Sequence, residues 1–444
     1  MKHPTSRLRG YARAAITLVA AASVPMPVAA WAATTPQVPA VSGPVTGPAL
    51  MYPDPPLSLT PGAPSVEQFP YVTEEYFVSG VASGAPYVTR IIVRRPIDPG
   101  AFSGVVVAEA LHAGGRSLIF EWSRVSILTR RHMFVEVVHS APNINLLKTF
   151  GPERYATLTI AQGQTNEIIA QVGRLLKSGS RPFAAYNVRY ATLMGTSASS
   201  GTVRGYLAAH SDLRMPDGAP IFDGFLLTST NGNTPLQVVD VPMVQMPTQT
   251  EVVTWAEQGI AYRRADSDTP GNRFRLYEVA GMPHNNSREN PGFGNDPCTL
   301  PVTTFPAGAF TGLALQHLVA WITDGTAPPR APPIAVDQDP AGDGSHLALD
   351  RFGNAMGGVR NIWVDVPVAT YGVFGAGKTS AADRLCRLGG TEVRLPEATL
   401  RELYAGRDAY AERVRRRLEA LIAQGWFLPE YADLVRADVA AALP

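Results

Sequence analysis

The chain has 444 residues, 45% of them hydrophobic and 17% charged, enough apolar surface to bury one large core and too little charge for a disordered chain. Lys and Arg total 38 against 37 Asp and Glu, a formal charge of +1. This balance excludes the strong field that gathers nucleic acid or an anionic membrane surface, so the expected partner is a small, roughly neutral molecule.

Residues 1–33 read as a cleaved export signal. Lys2, Arg7, Arg9 and Arg13 precede an apolar run over 14–24, and the small residues Ala29, Ala30, Ala32 and Ala33 follow. The run is shorter than the roughly 20 residues of a spanning helix, and Pro25 and Pro27 interrupt it, so no stable membrane anchor is expected. A Pro-rich lead-in occupies 34–65, with the fold starting after it. The two cysteines, Cys298 and Cys386, cannot supply a thiolate metal cluster; in an oxidising compartment they form one disulfide or remain two unrelated thiols.

From residue 66 to 328 strand and helix patterns alternate. Strands are expected at 71–79, 87–94, 104–111 and 133–139, the last two so apolar that both faces should be buried. Helices are expected at 117–129 and 165–177, where Ile168, Ile169, Val172, Leu175 and Leu176 share one face. Further strands at 190–194, 224–228, 242–246 and 273–279 lead to a helix at 309–323. Such alternation predicts an α/β fold, a mostly parallel sheet with helices on both faces. Beyond Pro328 the pattern loosens into a C-terminal appendage over 329–444, either partly a lid or packed on the core, with a helical stretch at 397–423. There Leu418, Leu421 and Ile422 at helical spacing make RVRRRLEALI an amphipathic helix with a solvated basic face, not a nucleic-acid site.

The sharpest local signal is Gly195-Thr196-Ser197-Ala198-Ser199-Ser200-Gly201 between a predicted strand and a predicted helix. In a nucleophile elbow the residues two before and two after the nucleophile nearly collide, so both must be small. Gly195 and Ser199 flank Ser197 at those distances, giving G-x-S-x-S. A rival frame places Ser199 on the turn, at the cost of a longer connection from the strand. A Ser-rich helix cap is the bland alternative.

A second element favours catalysis: the strand at 273–279 is followed by Ala280-Gly281-Met282-Pro283-His284, placing a histidine where it can take the serine proton. An acid must orient that imidazole. Glu251, after the strand VPMVQMP, fits the chain order of serine, acid and histidine, with Asp240, Asp268 and Glu278 as competitors. The oxyanion donors are expected at the backbone N–H of Ala198 and in the loop Leu111-His112-Ala113-Gly114-Gly115, through the His112 backbone or, alternatively, with its side chain toward substrate.

His132, His139 and His210 are expected to be structural, and His317 and His346 have no clustered ligands at metal spacing, so no metal and no cofactor is expected. The run GVFGAGKT at 372–379 satisfies the phosphate-loop pattern, but it has no βαβ unit around it and is read as coincidence.

The segments VVVAEALH, MFVEVVHSAP, LMGTSASSG with RGYL, FDGFLLTST, TQTE and YEVAGMPH together resemble a family of exported bacterial α/β-hydrolase-domain proteins over about 105–284. The resemblance implies the α/β-hydrolase fold and lays Ser197 on a nucleophile usually set in G-x-S-Q-S, Ala198 replacing the Gln. It lays Gln249 and Glu251 on the two acids of T-E-T-D, and His284 on the histidine of A-G-x-x-H. His112 stands where that family often has Asn. The expected function is cleavage of a small-molecule carboxylic ester through an acyl-enzyme on Ser197; an amidase or peptidase with the same triad, a binding protein on a hydrolase scaffold, and a lyase or carbon–carbon hydrolase are the alternatives.

Overall fold

A computed structural model describes residues 33–47, 49–52, 66–230, 234–257, 263–290, 297–337 and 346–442. Most of the expected export signal and of the lead-in's second half therefore lies outside the described residues. The chain joins the sheet earlier than expected: β1 (Ala40–Ser42) pairs antiparallel with β2 (Tyr71–Ala82), which forms a long hairpin with β3 (Ala85–Pro96). Short as it is, β1 covers the exposed edge of that hairpin.

The sheet continues with β4 (Val105–Ala110), β5 (Met133–Val137), β6 (Tyr190–Thr196), β7 (Gly224–Thr228), β8 (Met243–Met246) and β9 (Phe274–Leu276). Among the described residues nine strands form one sheet in the order β1-β2-β3-β5-β4-β6-β7-β8-β9, parallel from β5 to β9. Along β4 alternate residues enter opposite cores, Val105 and Val107 one, Val106 and Ala108 the other. Burial of both faces explains the unbroken apolar run.

Helices α1 (Leu118–Thr129), α2 (Ala141–Phe150), α3 (Thr165–Leu176), α4 (Ala198–Ala209), α5 (Gln249–Glu257) and α6 (Ala307–Thr323) connect or flank the strands. Of these, α2 and α5 had no counterpart in the sequence pattern; Ser140 caps α2, accepting from the Asn143 N–H. Strand β9 ends three residues sooner than its apolar run. The Leu276 N–H turns to Asp266 Oδ1 at 2.9 Å, and Val279 then bridges Thr248 and Val359.

After α6 the chain forms α7 (Ile362–Asp365), β10 (Ala369–Gly372), α8 (Ser380–Gly389), β11 (Thr391–Arg394), α9 (Glu397–Leu403), α10 (Arg407–Ala423) and α11 (Ala432–Ala442). Gly406, at φ 134°, separates α9 from α10 within the stretch read as one helix. This C-terminal segment packs on the α1 and α6 face: Trp363, Tyr404, Leu418, Phe427 and Tyr431 share a core with Ile119, Phe310 and Leu313. On α10, Arg415 and Arg416 pair with Glu412 of the same helix, and Arg417 with Asp365 of α7, so neighbouring acids offset the basic face. No helix among the described residues is long and apolar enough to cross a membrane.

Cys298 and Cys386 are disulfide-bonded, with Cα atoms 5.5 Å apart. The phosphate-loop pattern lies beside this bond, between the antiparallel strands β10 and β11. Three of its amides are committed within the chain, among them Gly375 N–H to the Cys386 carbonyl at 3.1 Å and Lys378 N–H to the Pro297 carbonyl at 2.7 Å. Gly377 N–H goes to the Asp383 carboxylate at 2.8 Å, a negative group where a phosphate would have to sit.

Candidate active site

The site lies at the carboxyl ends of the parallel strands, where an open α/β sheet presents its loops. Ser197 sits between β6 and α4 at φ 50°, ψ −118°, a conformation an L-residue adopts only when its surroundings enforce it. They do so here: Ser197 N–H donates to the Thr228 carbonyl at the end of β7, 3.2 Å away. A Cβ on Gly195 would overlap the Ser199 carbonyl and come within 2.8 Å of Ser200 N, so only glycine fits before this turn.

Ser199 fits where the common elbow has glycine because its side chain folds back. Its Oγ accepts from Thr196 N–H and donates to the Thr196 carbonyl, both at 2.9 Å. It is buried and fully engaged, which answers the rival frame.

Ser197 Oγ lies 3.0 Å from His284 Nε2, and His284 Nδ1 lies 2.5 Å from Glu251 Oε1. Glu251 falls in the first turn of α5 instead of the expected loop. Its other oxygen, Oε2, accepts from Thr248 N–H at 2.8 Å and Thr248 Oγ1 at 2.7 Å, which fixes the carboxylate plane. Burial alone would lower the His284 pKa; the Glu251 charge and hydrogen bond outweigh it and raise it above the ordinary imidazole value.

The competing acids are engaged elsewhere. Asp240 bonds His210 and Arg214, Asp268 pairs with Arg275 and Arg330, and Glu278 pairs with Arg263.

Ala198 N–H opens α4, at a position with no acceptor inside its own helix. The His112 backbone is a correction: its N–H donates to the Arg116 carbonyl at 3.2 Å, closing the loop on itself. The imidazole is the group left. Its Nδ1 accepts from Gly114 N–H at 3.0 Å, so the neutral ring carries its proton on Nε2. Burial, then the neighbouring His284 and Arg116, push its pKa down to about 4.

Glu109, not singled out from sequence, anchors this loop from below. Fully buried at the end of β4, it accepts from Ile119 N–H at 2.9 Å and Phe120 N–H at 3.0 Å, holding the start of α1. Asn143 Nδ2 donates to the His112 carbonyl at 3.1 Å. A strand glutamate before a Gly-rich loop is the one signal that pointed to this role.

Four further histidines have structural partners: His132 with Ser103 and Gln316, His139 with the Leu111 carbonyl, His210 with Asp240, and His317 with Tyr277. Among the described residues no group of three or more His, Cys, Asp or Glu could hold a metal ion.

No curated protein matches the sequence. Among solved structures, the chain is similar to a poly(3-hydroxybutyrate) depolymerase from Bordetella parapertussis, at 11% identity, a TM-score of 0.34, and coverage of 59% of this chain and 92% of that one. It is also similar to a fungal esterase from Rhizomucor miehei, at 10% identity, a TM-score of 0.35, and coverage of 58% and 86%. The model of the α/β-hydrolase domain family matches residues 36–437, which include the whole sheet, the elbow and the C-terminal helices through most of α11. The chain belongs to the α/β-hydrolase domain family.

Proposed function

We propose that the protein is an exported serine hydrolase that cleaves a carboxylic ester of a small molecule through an acyl-enzyme on Ser197. The observation that carries the reading is the continuous relay from Ser197 Oγ through His284 to Glu251, with bonds of 3.0 and 2.5 Å, on an elbow held at positive φ. A serine used only as a helix cap would need neither the strained backbone nor the paired base.

As Ser197 Oγ attacks the ester carbon, His284 Nε2 takes its proton, and the imidazolium is stabilised by the Glu251 carboxylate without proton transfer to it. The new oxyanion is held by Ala198 N–H and, in place of the expected backbone amide, by the His112 Nε2–H. A donor with a pKa near 4 stays neutral beside the imidazolium, so it contributes a dipole and no repelling charge. Collapse breaks the ester C–O bond, and the departing alkoxide takes the proton from His284. Water then attacks the acyl-enzyme through the same base and releases the acid and free Ser197.

An ester is favoured over an amide by its better leaving group. Export is supported by the N-terminal basic and apolar pattern and by the Cys298–Cys386 bond, which persists in an oxidising compartment. The test is intact mass after treatment of the mature protein and its Ser197→Ala variant with a fluorophosphonate. One adduct on the parent and none on the variant is expected, followed by turnover of ester but not amide versions of one acyl group. A folded parent that takes no adduct would leave the binding-protein and lyase readings.

A further inference from the structure

The peptide unit joining Ala280 to Gly281, four residues before the histidine, is gripped at both of its polar ends. Its carbonyl oxygen accepts from Asn361 Nδ2 at 2.7 Å, and its N–H donates to Gln249 Oε1 at 2.6 Å. Both side chains are buried, and they come from opposite parts of the chain, Gln249 at the start of α5 and Asn361 before α7. We infer that Asn361 and Gln249 are positioning residues that clamp the 280–281 peptide and so place His284 against Ser197. The inference rests on the reading of Ser197 and His284 as nucleophile and base.

Each amide can point only one way. Asn361 Oδ1 accepts from Val364 N–H at 3.3 Å, capping α7, so its NH2 must face Ala280. Around the clamp the loop has no slack. Gly281 lies at φ 82°, and a Cβ there would meet Val364 at 3.1 Å and Phe305 at 3.3 Å. Gln249 N–H donates to the Met282 carbonyl at 2.8 Å. Thr250 Oγ1 takes the His284 N–H at 3.1 Å, and Asn285 N–H reaches the Leu388 carbonyl at 2.9 Å. Any tilt of the clamped peptide is therefore passed to the imidazole, whose bonds to Ser197 and Glu251 tolerate little displacement. A shift of about 1 Å in such a group costs on the order of 100-fold in rate.

Substitution at 361 separates the clamp from the helix cap. Asn361→Asp keeps the acceptor for Val364 and replaces the donor facing Ala280 with a second acceptor, setting oxygen against oxygen. Asn361→Ser also caps a helix well but is too short to bridge to Ala280. Gln249→Met removes the acceptor for Gly281 while keeping the side chain's bulk.

The experiment measures phosphonylation of the full mature protein by a fluorophosphonate over a range of probe concentrations, with folding checked by thermal melts. The maximal labelling rate of Asn361→Asp and Asn361→Ser should fall about 10- to 100-fold, while the half-saturating probe concentration stays put. Because both residues grip one peptide, adding Gln249→Met to either should cost less than the product of the separate losses. A folded Asn361→Ser protein labelled at the parental rate overturns the inference and leaves the serine reading intact, and it decides the matter if Asn361→Asp fails to fold. A folded parent that is not labelled overturns the serine reading and this inference with it.

Discussion

Glu251→Gln is the perturbation whose outcome the site geometry determines most tightly. An amide has one accepting and one donating end, and Thr248 already presents two donors, N–H at 2.8 Å and Oγ1 at 2.7 Å, to Oε2 of residue 251. The glutamine oxygen must therefore face Thr248, and its NH2 must face His284 Nδ1, which lies 2.5 Å from the present Oε1. A donor there forces Nδ1 to accept, so the neutral ring carries its proton on Nε2, pointing at Ser197. That is the tautomer that cannot take the serine proton, and it costs about 10^4 in kcat, equivalent to about 5 kcal/mol of barrier. The pH profile should change as well. In the parent, burial alone would lower the His284 pKa, and Glu251 raises it above the ordinary value. The base is lost by protonation, so kcat/KM should fall with decreasing pH on a limb above the usual imidazole range. Without the carboxylate only burial remains, and the limb should move to lower pH. The assay is stopped-flow hydrolysis of a chromogenic ester, or fluorophosphonate labelling, from pH 4 to 9 for both proteins. A folded variant within tenfold of the parent, or with an unmoved acid limb, would refute the reasoning.

Two further outcomes concern stability. Glu289 is buried with one oxygen on Gly308 N–H at 2.9 Å and the other without a partner, and burial pushes its pKa from 4.5 to about 7. The folded protein therefore binds a proton that the unfolded chain has released. The resulting stability is complete below pH 4.5, disappears as pH rises through 7, and amounts to about 3 kcal/mol. Denaturant unfolding across that range should show the slope in the parent and not in Glu289→Gln, and an equal slope in both would count against it. The Cys298–Cys386 bond spans a sequence separation of 88, a loop whose closure in the unfolded chain corresponds to about 4.6 kcal/mol. The double serine variant should lose that order of stability in urea; a loss below about 1 kcal/mol would mean that packing around α8 holds the segment without the bond.

What could be read in the sequence was whatever depends on near neighbours. Gly195, Ser197 and Ser199 announce a turn because their spacing alone sets the collision it must avoid. The buried strands around Val107 and Val135 announce themselves because burial on both faces leaves no polar alternation. The expectation of a loop at Glu251, where the structure has the first turn of α5, is a one-turn error, natural where a strand runs into a helix through two residues. Direction was harder than position. Nothing in LHAGG says that the His112 amide turns inward to Arg116 while its imidazole remains beside His284, since that depends on where Arg116 comes to rest. Contacts from the far C-terminal segment were out of reach for a different reason. Val359 bridging Val279, Asn361 on Ala280 and Leu388 on Asn285 are pairings across about 80 to 100 residues, and no local period encodes them. The Gly357-Gly358 pair looked like loosened structure, yet a Cβ on Gly358 would lie 2.6 Å from the Glu278 carbonyl. Those glycines mark a close approach of backbone to backbone.

The two imidazoles of the site show how one pocket sets one side chain to two tasks. Both are shielded from water, which by itself disfavours the charged ring. For His284 the penalty is outweighed by a carboxylate held in place by Thr248 and bonded to Nδ1. For His112 nothing offsets it: Nδ1 faces a backbone N–H, and His284 and Arg116 add to the penalty. The shifts therefore run in opposite directions in neighbouring rings. On the proposed mechanism this separation is required, because His284 becomes an imidazolium just as the oxyanion forms. A His112 that titrated in the same range would either take up a proton and repel that cation, or be held neutral only by suppressing the base. Holding His112 near 4 removes the conflict, so its Nε2–H is available as a neutral donor over the whole range in which His284 works.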